Sequence, residues 1–269
     1  MPIYNPSQPQ KVKYLFIDGE ALDSLLDRFS KGLFEGIAIE IDYRRMALGY
    51  EKIFYYDCLP VKKPNESDTD HQKRLKFKTQ LFNQLKSLDR FHVYEGTARY
   101  RNKLRGQEQK QVDIMIAVDM LTHSFRRNMH EATLLTGDLD FKPLIDALVQ
   151  EGMHVSLWYP KGRANYELVD AADSRQALTI STINSWFTDS FKAKATLPDI
   201  TYPRSIPPEP GILLEKIRQT TYEGLLYEKE GSYFAYIPKE NDEYMLFRHD
   251  NIEQLKFYIE HVLSPDVFR

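Results

Sequence analysis

The sequence predicts an α/β fold in which a parallel sheet is covered by helices on both faces. Three observations predict it. Short apolar runs alternate along the chain with longer stretches whose apolar residues recur at helical spacing. Two of those runs end in a glycine flanked or followed by carboxylates, Asp18-Gly19-Glu20 and Gly137-Asp138-Leu139-Asp140. After Leu197 the alternation gives way to a proline-dense stretch and then to short apolar segments separated by turn residues.

Val12–Ile17 is a short apolar run between polar residues and predicts a buried strand. Glu20–Phe34 carries Ala21, Leu22, Leu25, Leu26, Phe29 and Leu33 on helical spacing. Lys52–Cys58 predicts a second strand, and Pro60–Asp70, polar and with two prolines, a loop. Thr69–Leu88 predicts a helix with Leu75, Leu81, Phe82 and Leu85 inward and its lysines outward. Phe91–Tyr94 predicts the third strand, and Val112–Arg127 a helix preceded by the basic run Arg99–Lys110. Ala132–Leu135 and His154–Tyr159 predict strands four and five, separated by a helix over Phe141–Glu151. Five prolines between Pro198 and Pro210 predict a semi-rigid linker. Beyond it, Gly211–Arg218 reads as a helix, Leu225–Tyr227, Tyr233–Ile237 and Tyr244–Phe247 as short strands, and the stretch from Asp250 as a last helix. Glu253, three residues on, gives that helix a capping-box start. The expected organisation is an α/β domain over residues 1–197, a linker over 198–210 and a small α+β module over 211–269.

A chain of 269 residues with 42% hydrophobic and 28% charged residues is composed like a globular domain. Its formal charge of −3 excludes a polycation that coats nucleic acid indiscriminately, so contact with nucleic acid requires a local basic patch. The single Cys58 excludes an intramolecular disulfide and a cysteine-rich zinc site. The chain shows no secretory leader and no apolar run near the ~18 residues that cross a bilayer, so the expectation is a cytoplasmic protein with no membrane association.

The chemistry lies in the acids. Asp18 ends the first strand, Asp138 and Asp140 follow the fourth, and Asp113 opens a helix. Carboxylates converging on the carboxyl edge of a sheet, without Cys or His, suit Mg²⁺ or Mn²⁺. Phosphodiester hydrolysis uses such ions to offset charge on the attacked phosphate and to activate water. The competing reading is that each aspartate caps the helix that follows it. Glu20 and Asp119 rank second: Asp119 lies six residues after Asp113, a rotation of about 240° on a helix, so the two cannot face one ion. Arg99, Arg101, Lys103 and Arg105 alternate, which on an extended chain puts four cations on one face; Lys110 continues the patch toward Asp113. The basic run Gln72–Lys78 reads as a solvated helix surface.

Phe16-Ile17-Asp18-Gly19-Glu20, Lys110–Asp113 with Val118–Met120, and Thr136–Phe141 resemble the three acidic blocks of NYN-domain proteins, relatives of the PIN-like nucleases that include the LabA-like group. Tyr166–Asp173 resembles the block that closes that domain, and the resemblance spans roughly Val12 to Trp186. It implies a Rossmann-like domain with metal-dependent ribonuclease activity at Asp18, Asp113, Asp138 and Asp140, acting on single-stranded RNA. One position departs: the family usually has Asn after Asp-Gly-Glu, and this chain has Ala21. That departure keeps open an alternative, a non-catalytic RNA- or protein-binding module, with the C-terminal module as a contact for a partner or a second copy.

Overall fold

The computed structural model describes residues 11–96, 99–100, 107–108, 110–218, 223–239 and 243–262. The chain divides into two compact units, one made of the residues up to Ser24 with Asp42–Leu178, the other of Leu25–Ile41 with the residues from Thr179 onward.

In the first unit the strands are β1 (Lys13–Asp18), β2 (Lys52–Cys58), β3 (Phe91–Gly96), β4 (Arg99–Tyr100), β5 (Gln107–Glu108), β6 (Glu131–Leu135), β7 (His154–Pro160) and β8 (Ser174–Leu178). Six of them form one sheet in the order β3-β2-β1-β6-β7-β8, and every neighbouring pair is parallel. β4 and β5 pair with each other, antiparallel. The chain therefore builds outward from β1 to β3, returns to β6 beside β1, and builds outward the other way. The seam between β1 and β6 is the switch point of a doubly wound sheet, and in such folds ligands bind at the carboxyl ends of the strands on either side of it.

Leu15, Phe16 and Ile17 of β1 are fully buried, as the central strand of a sheet covered on both faces requires. Between strands run the helices Gly19–Leu33, Asp68–Lys86, Lys110–Phe125 and Lys142–Gln150. Ser67 caps the second by accepting from the amide of Asp70, and Pro143 occupies the first turn of the fourth. Val112, Ile116 and Met120 line one face of Lys110–Phe125 and pack with Phe16, Phe54 and Leu134 in the core.

The second unit holds a five-stranded antiparallel sheet in the order β10-β11-β12-β13-β9: β9 (Asp199–Thr201), β10 (Ile212–Arg218), β11 (Glu223–Lys229), β12 (Ser232–Pro238) and β13 (Tyr244–His249). The helix Ile252–Val262 follows it and buries Leu255 and Ile259. The far half of the helix Gly19–Leu33 belongs to this unit: Phe29, fully buried, meets the rings of Phe257 at 6.3 Å and His261 at 4.6 Å. Gly32 lies so close to Phe257 that an added Cβ would stand 2.5 Å from its ring.

Four local expectations change. Gly211–Arg218 is not helical: Ile212–Arg218 is a strand paired with β11, with a register shift between Leu213 and Glu215. Its Leu, Glu, Lys and Arg favour helix by intrinsic propensity, and cross-strand pairing outweighs that preference of tenths of a kcal/mol per residue. The proline-dense stretch contains β9, which pairs with β13. β8, polar over most of its length, is a sixth strand at the sheet edge. On Asp68–Lys86 one lysine, Lys78, points inward and is buried.

Candidate active site at the sheet switch point

Asp18 is the last residue of β1 and is 8% exposed. One carboxylate oxygen, Oδ1, accepts from the backbone amides of Glu20 at 3.1 Å and Ala21 at 3.2 Å. The other, Oδ2, accepts from the Thr136 hydroxyl at 2.9 Å. Thr136 closes β6 on the opposite side of the seam, is fully buried, and its Oγ1 also accepts from the amide of Asp138 at 3.2 Å. One hydroxyl thus ties the acid of β1 to the acidic turn after β6. Asp138 in turn accepts on Oδ1 from the amide of Asp140 at 3.0 Å and caps the short 3₁₀ turn Leu139–Phe141.

The acids of this edge act on one another electrostatically. Burial raises the Asp18 carboxyl to about 7, against the lowering effect of the Thr136 and Ala21 bonds, and the charges of Asp113 and Glu20 push it further up. The Glu20 carboxyl is also raised, first by desolvation, then by the charges of Asp57, Asp113, Asp138 and Asp23. Asp18, Glu20, Asp113 and Asp138 therefore share one field at the seam. Asp140 enters through its amide, and its side chain is exposed. Asp119 accepts from the Tyr56 hydroxyl at 2.8 Å, on the part of the helix that faces β2. Of the basic strip, Arg99 lies on β4; Arg101, Lys103 and Arg105 fall outside the described residues, and Lys110 is the first residue of the helix Lys110–Phe125.

Two residues of this edge are not singled out by the sequence: Asp57, and Lys78, which reads there as part of a solvated basic run. Asp57, near the end of β2, is 2% exposed and accepts from the Tyr55 hydroxyl at 3.2 Å, the Cys58 amide at 2.6 Å and the Lys78 ammonium. The same ammonium binds Asp23. The apolar run Ile53–Tyr56 leading into a lone aspartate was the available signal for Asp57. Cys58 beside it is a buried thiol raised to about 11, chiefly by burial, which makes it inert.

Among the described residues no group of three or more His, Cys, Asp or Glu side chains is arranged to hold a metal ion. The donor chemistry fits a hard divalent cation nonetheless. Mg²⁺ is commonly held by one or two carboxylates, with water and substrate phosphate completing its octahedron. Asp18, together with Asp113 or Glu20, would be the carboxylates to hold such an ion.

A doubly wound parallel sheet flanked by helices defines the class of this domain, and the sequence places it more closely. Residues 14–179 match the NYN domain, and the chain belongs to that family, within the PIN-like superfamily of nucleases. A crystal structure of a protein of unknown function from Vibrio parahaemolyticus is similar over 68% of this chain and 99% of that one, with 16% identity and a TM-score of 0.46. No curated protein matches the chain. Among the described residues no helix is long and apolar enough to cross a membrane.

Replacing Thr136 with Val keeps the shape and removes both bonds of the bridge. The expected loss is about 1–3 kcal/mol, because the Asp138 amide and the Asp18 carboxylate each lose a partner. Since the bond favours the ionised form of Asp18, its removal raises that carboxyl further, and the loss grows as pH rises from 5 to 8. Denaturant melts at the two pH values measure it; equal losses at both would disconnect Thr136 from Asp18.

Proposed function

We propose that this protein is a metal-dependent ribonuclease that hydrolyses single-stranded RNA at the β1/β6 seam. The observation that carries the proposal is the state of Asp18: buried, fixed by three hydrogen bonds, and surrounded by acids that disfavour its charge. Such a site gains from a cation. A bound Mg²⁺ or Mn²⁺ would offset charge on the attacked phosphate and acidify the attacking water. Asp18 and Asp113 are the ligands with the best claim, and Asp138 borders the same field. Glu20, exposed and with a raised carboxyl, would be the group to accept the proton released as water attacks.

Position 21 bears on the alternative of a binding module without turnover. Its contact with Asp18 is made by the backbone amide, which Ala supplies as well as Asn does. Ala21 therefore leaves that support intact. Incubating the protein with labelled single-stranded RNA and Mn²⁺, and again with chelator, tests the reading. Cleavage with Mn²⁺ alone is expected; binding without cleavage in either arm assigns the chain to the non-catalytic reading.

The phosphate-contacting strip of Arg99, Arg101, Lys103 and Arg105, continued by Lys110, is part of the same proposal. An Arg99→Ala/Arg101→Ala variant is expected to bind RNA more weakly. The slope of log K against log salt should become shallower by about 1.4, two phosphate contacts at about 0.7 each for a single strand. An unchanged slope takes the strip out of the binding surface.

A further inference from the structure

We infer that Asp57 and Lys78 are positioning residues for the acid edge: they clamp the turn Asp18–Ala21 whose two amides hold the Asp18 carboxylate. The inference rests on the nuclease reading for its kinetic consequence and on geometry alone for the clamp.

Asp18 of β1 is level with Tyr56 of β2, so Asp57 stands one residue further along the neighbouring strand, at the same edge of the sheet. Its carboxylate lies against Gly19. A Cβ built on Gly19 would be 2.4 Å from Asp57 Oδ2 and 2.7 Å from its Cγ, so only a residue without a side chain lets the turn rest there. The Asp57 carboxylate is itself fixed, by the Tyr55 hydroxyl, the Cys58 amide and Lys78.

Lys78 arrives from a separate helix, Asp68–Lys86, and is 8% exposed. Its ammonium joins Asp57, beneath the turn, to Asp23, one helical turn beyond it. The start of the helix Gly19–Leu33 is thereby held from two points by one cation. Glu20 and Ala21, which donate to Asp18, lie between those points. Burying a carboxylate–ammonium pair is costly, and well-packed apolar residues of similar volume often stabilise a fold as well or better. A buried pair is therefore better explained by what it orients than by stability alone. Here it orients the turn that fixes Asp18.

The test uses the full chain and two variants, Asp57→Asn and Lys78→Met/Asp57→Asn; the double variant removes both ends of the Asp57–Lys78 ion pair. Both are compared with the parent under conditions where circular dichroism shows each fully folded. The first readout is hydrogen exchange at the Glu20 and Ala21 amides, which needs no activity. Both variants should exchange there about tenfold faster or more, while core amides in β6 and β7 keep their relative protection. The second readout is Mn²⁺-dependent RNA cleavage, in which kcat should fall about tenfold or more with KM within about twofold, as misplacement of a catalytic group predicts. Parental protection at Glu20 and Ala21 in both variants overturns the clamp. Faster exchange there with parental kcat overturns its role in catalysis. If the parent itself cleaves no RNA, the nuclease reading fails, and amide exchange still decides the clamp by itself.

Discussion

A Lys78→Met variant is expected to be less stable than the parent chain by about 3–5 kcal/mol, the usual cost of breaking a buried ion pair from one side. The side chain it removes faces Asp57, which is 2% exposed, so among the described residues the remaining carboxylate keeps the Tyr55 hydroxyl and the Cys58 amide. Burial lowers the Lys78 ammonium, but Asp23 and Asp57 together raise it above its ordinary 10.5. A cation raised in the folded state stabilises fully below its unfolded pKa and loses that contribution only as pH climbs through the folded value. The deficit should therefore be constant between pH 7 and 9. Urea denaturation at both pH values measures it, and a loss under about 1 kcal/mol contradicts the ion-pair account.

Asp18→Asn should abolish turnover, by more than about 100-fold, and at the same time make the metal-free protein more stable at pH 8. The sign follows from the carboxyl, raised from 3.8 to about 7 by burial and neighbouring acids. The folded state binds that proton more tightly than the unfolded one, so stability is greatest below about pH 4 and falls as pH rises through 7. Above that range the buried ion costs on the order of 4 kcal/mol, an upper figure for what the neutral amide recovers. Asn can still accept from Glu20 and Ala21 and can donate to the Thr136 hydroxyl, so the cap survives. Asp138→Asn, at an exposed position, should change stability by less than about 0.5 kcal/mol and lower cleavage as well. Melts at pH 5 and 8 with and without Mn²⁺, beside a cleavage assay, separate charge from structure. Wild-type cleavage by both variants would move the active site elsewhere.

The doubly wound sheet was legible because its central strands are continuous apolar runs and its intervening helices keep their spacing. The acids were legible for a related reason. Asp18 and Asp138 stand where an apolar run stops, and in a parallel sheet that place is an edge. What periodicity could not supply was identity at a distance. Lys78 sits in a basic run, and only the fold brings Asp23 and Asp57 to one of its lysines. β8 is polar because it lies at a sheet edge, and β10 has helix-favouring residues that pairing overrides. The bridge by Thr136 links positions 118 residues apart and leaves no local trace.

The helix Gly19–Leu33 has a consequence for synthesis on the ribosome. Phe29 is made early, and the rings that enclose it, Phe257 and His261, are made near the end. At about 5–20 residues per second, more than 200 residues of translation separate them, a wait of roughly ten to forty seconds. Over that interval the sheet β3-β2-β1-β6-β7-β8 can complete itself, since its last strand ends at Leu178. The contacts that Phe29 makes with Phe257 and His261 can form only once the last helix emerges.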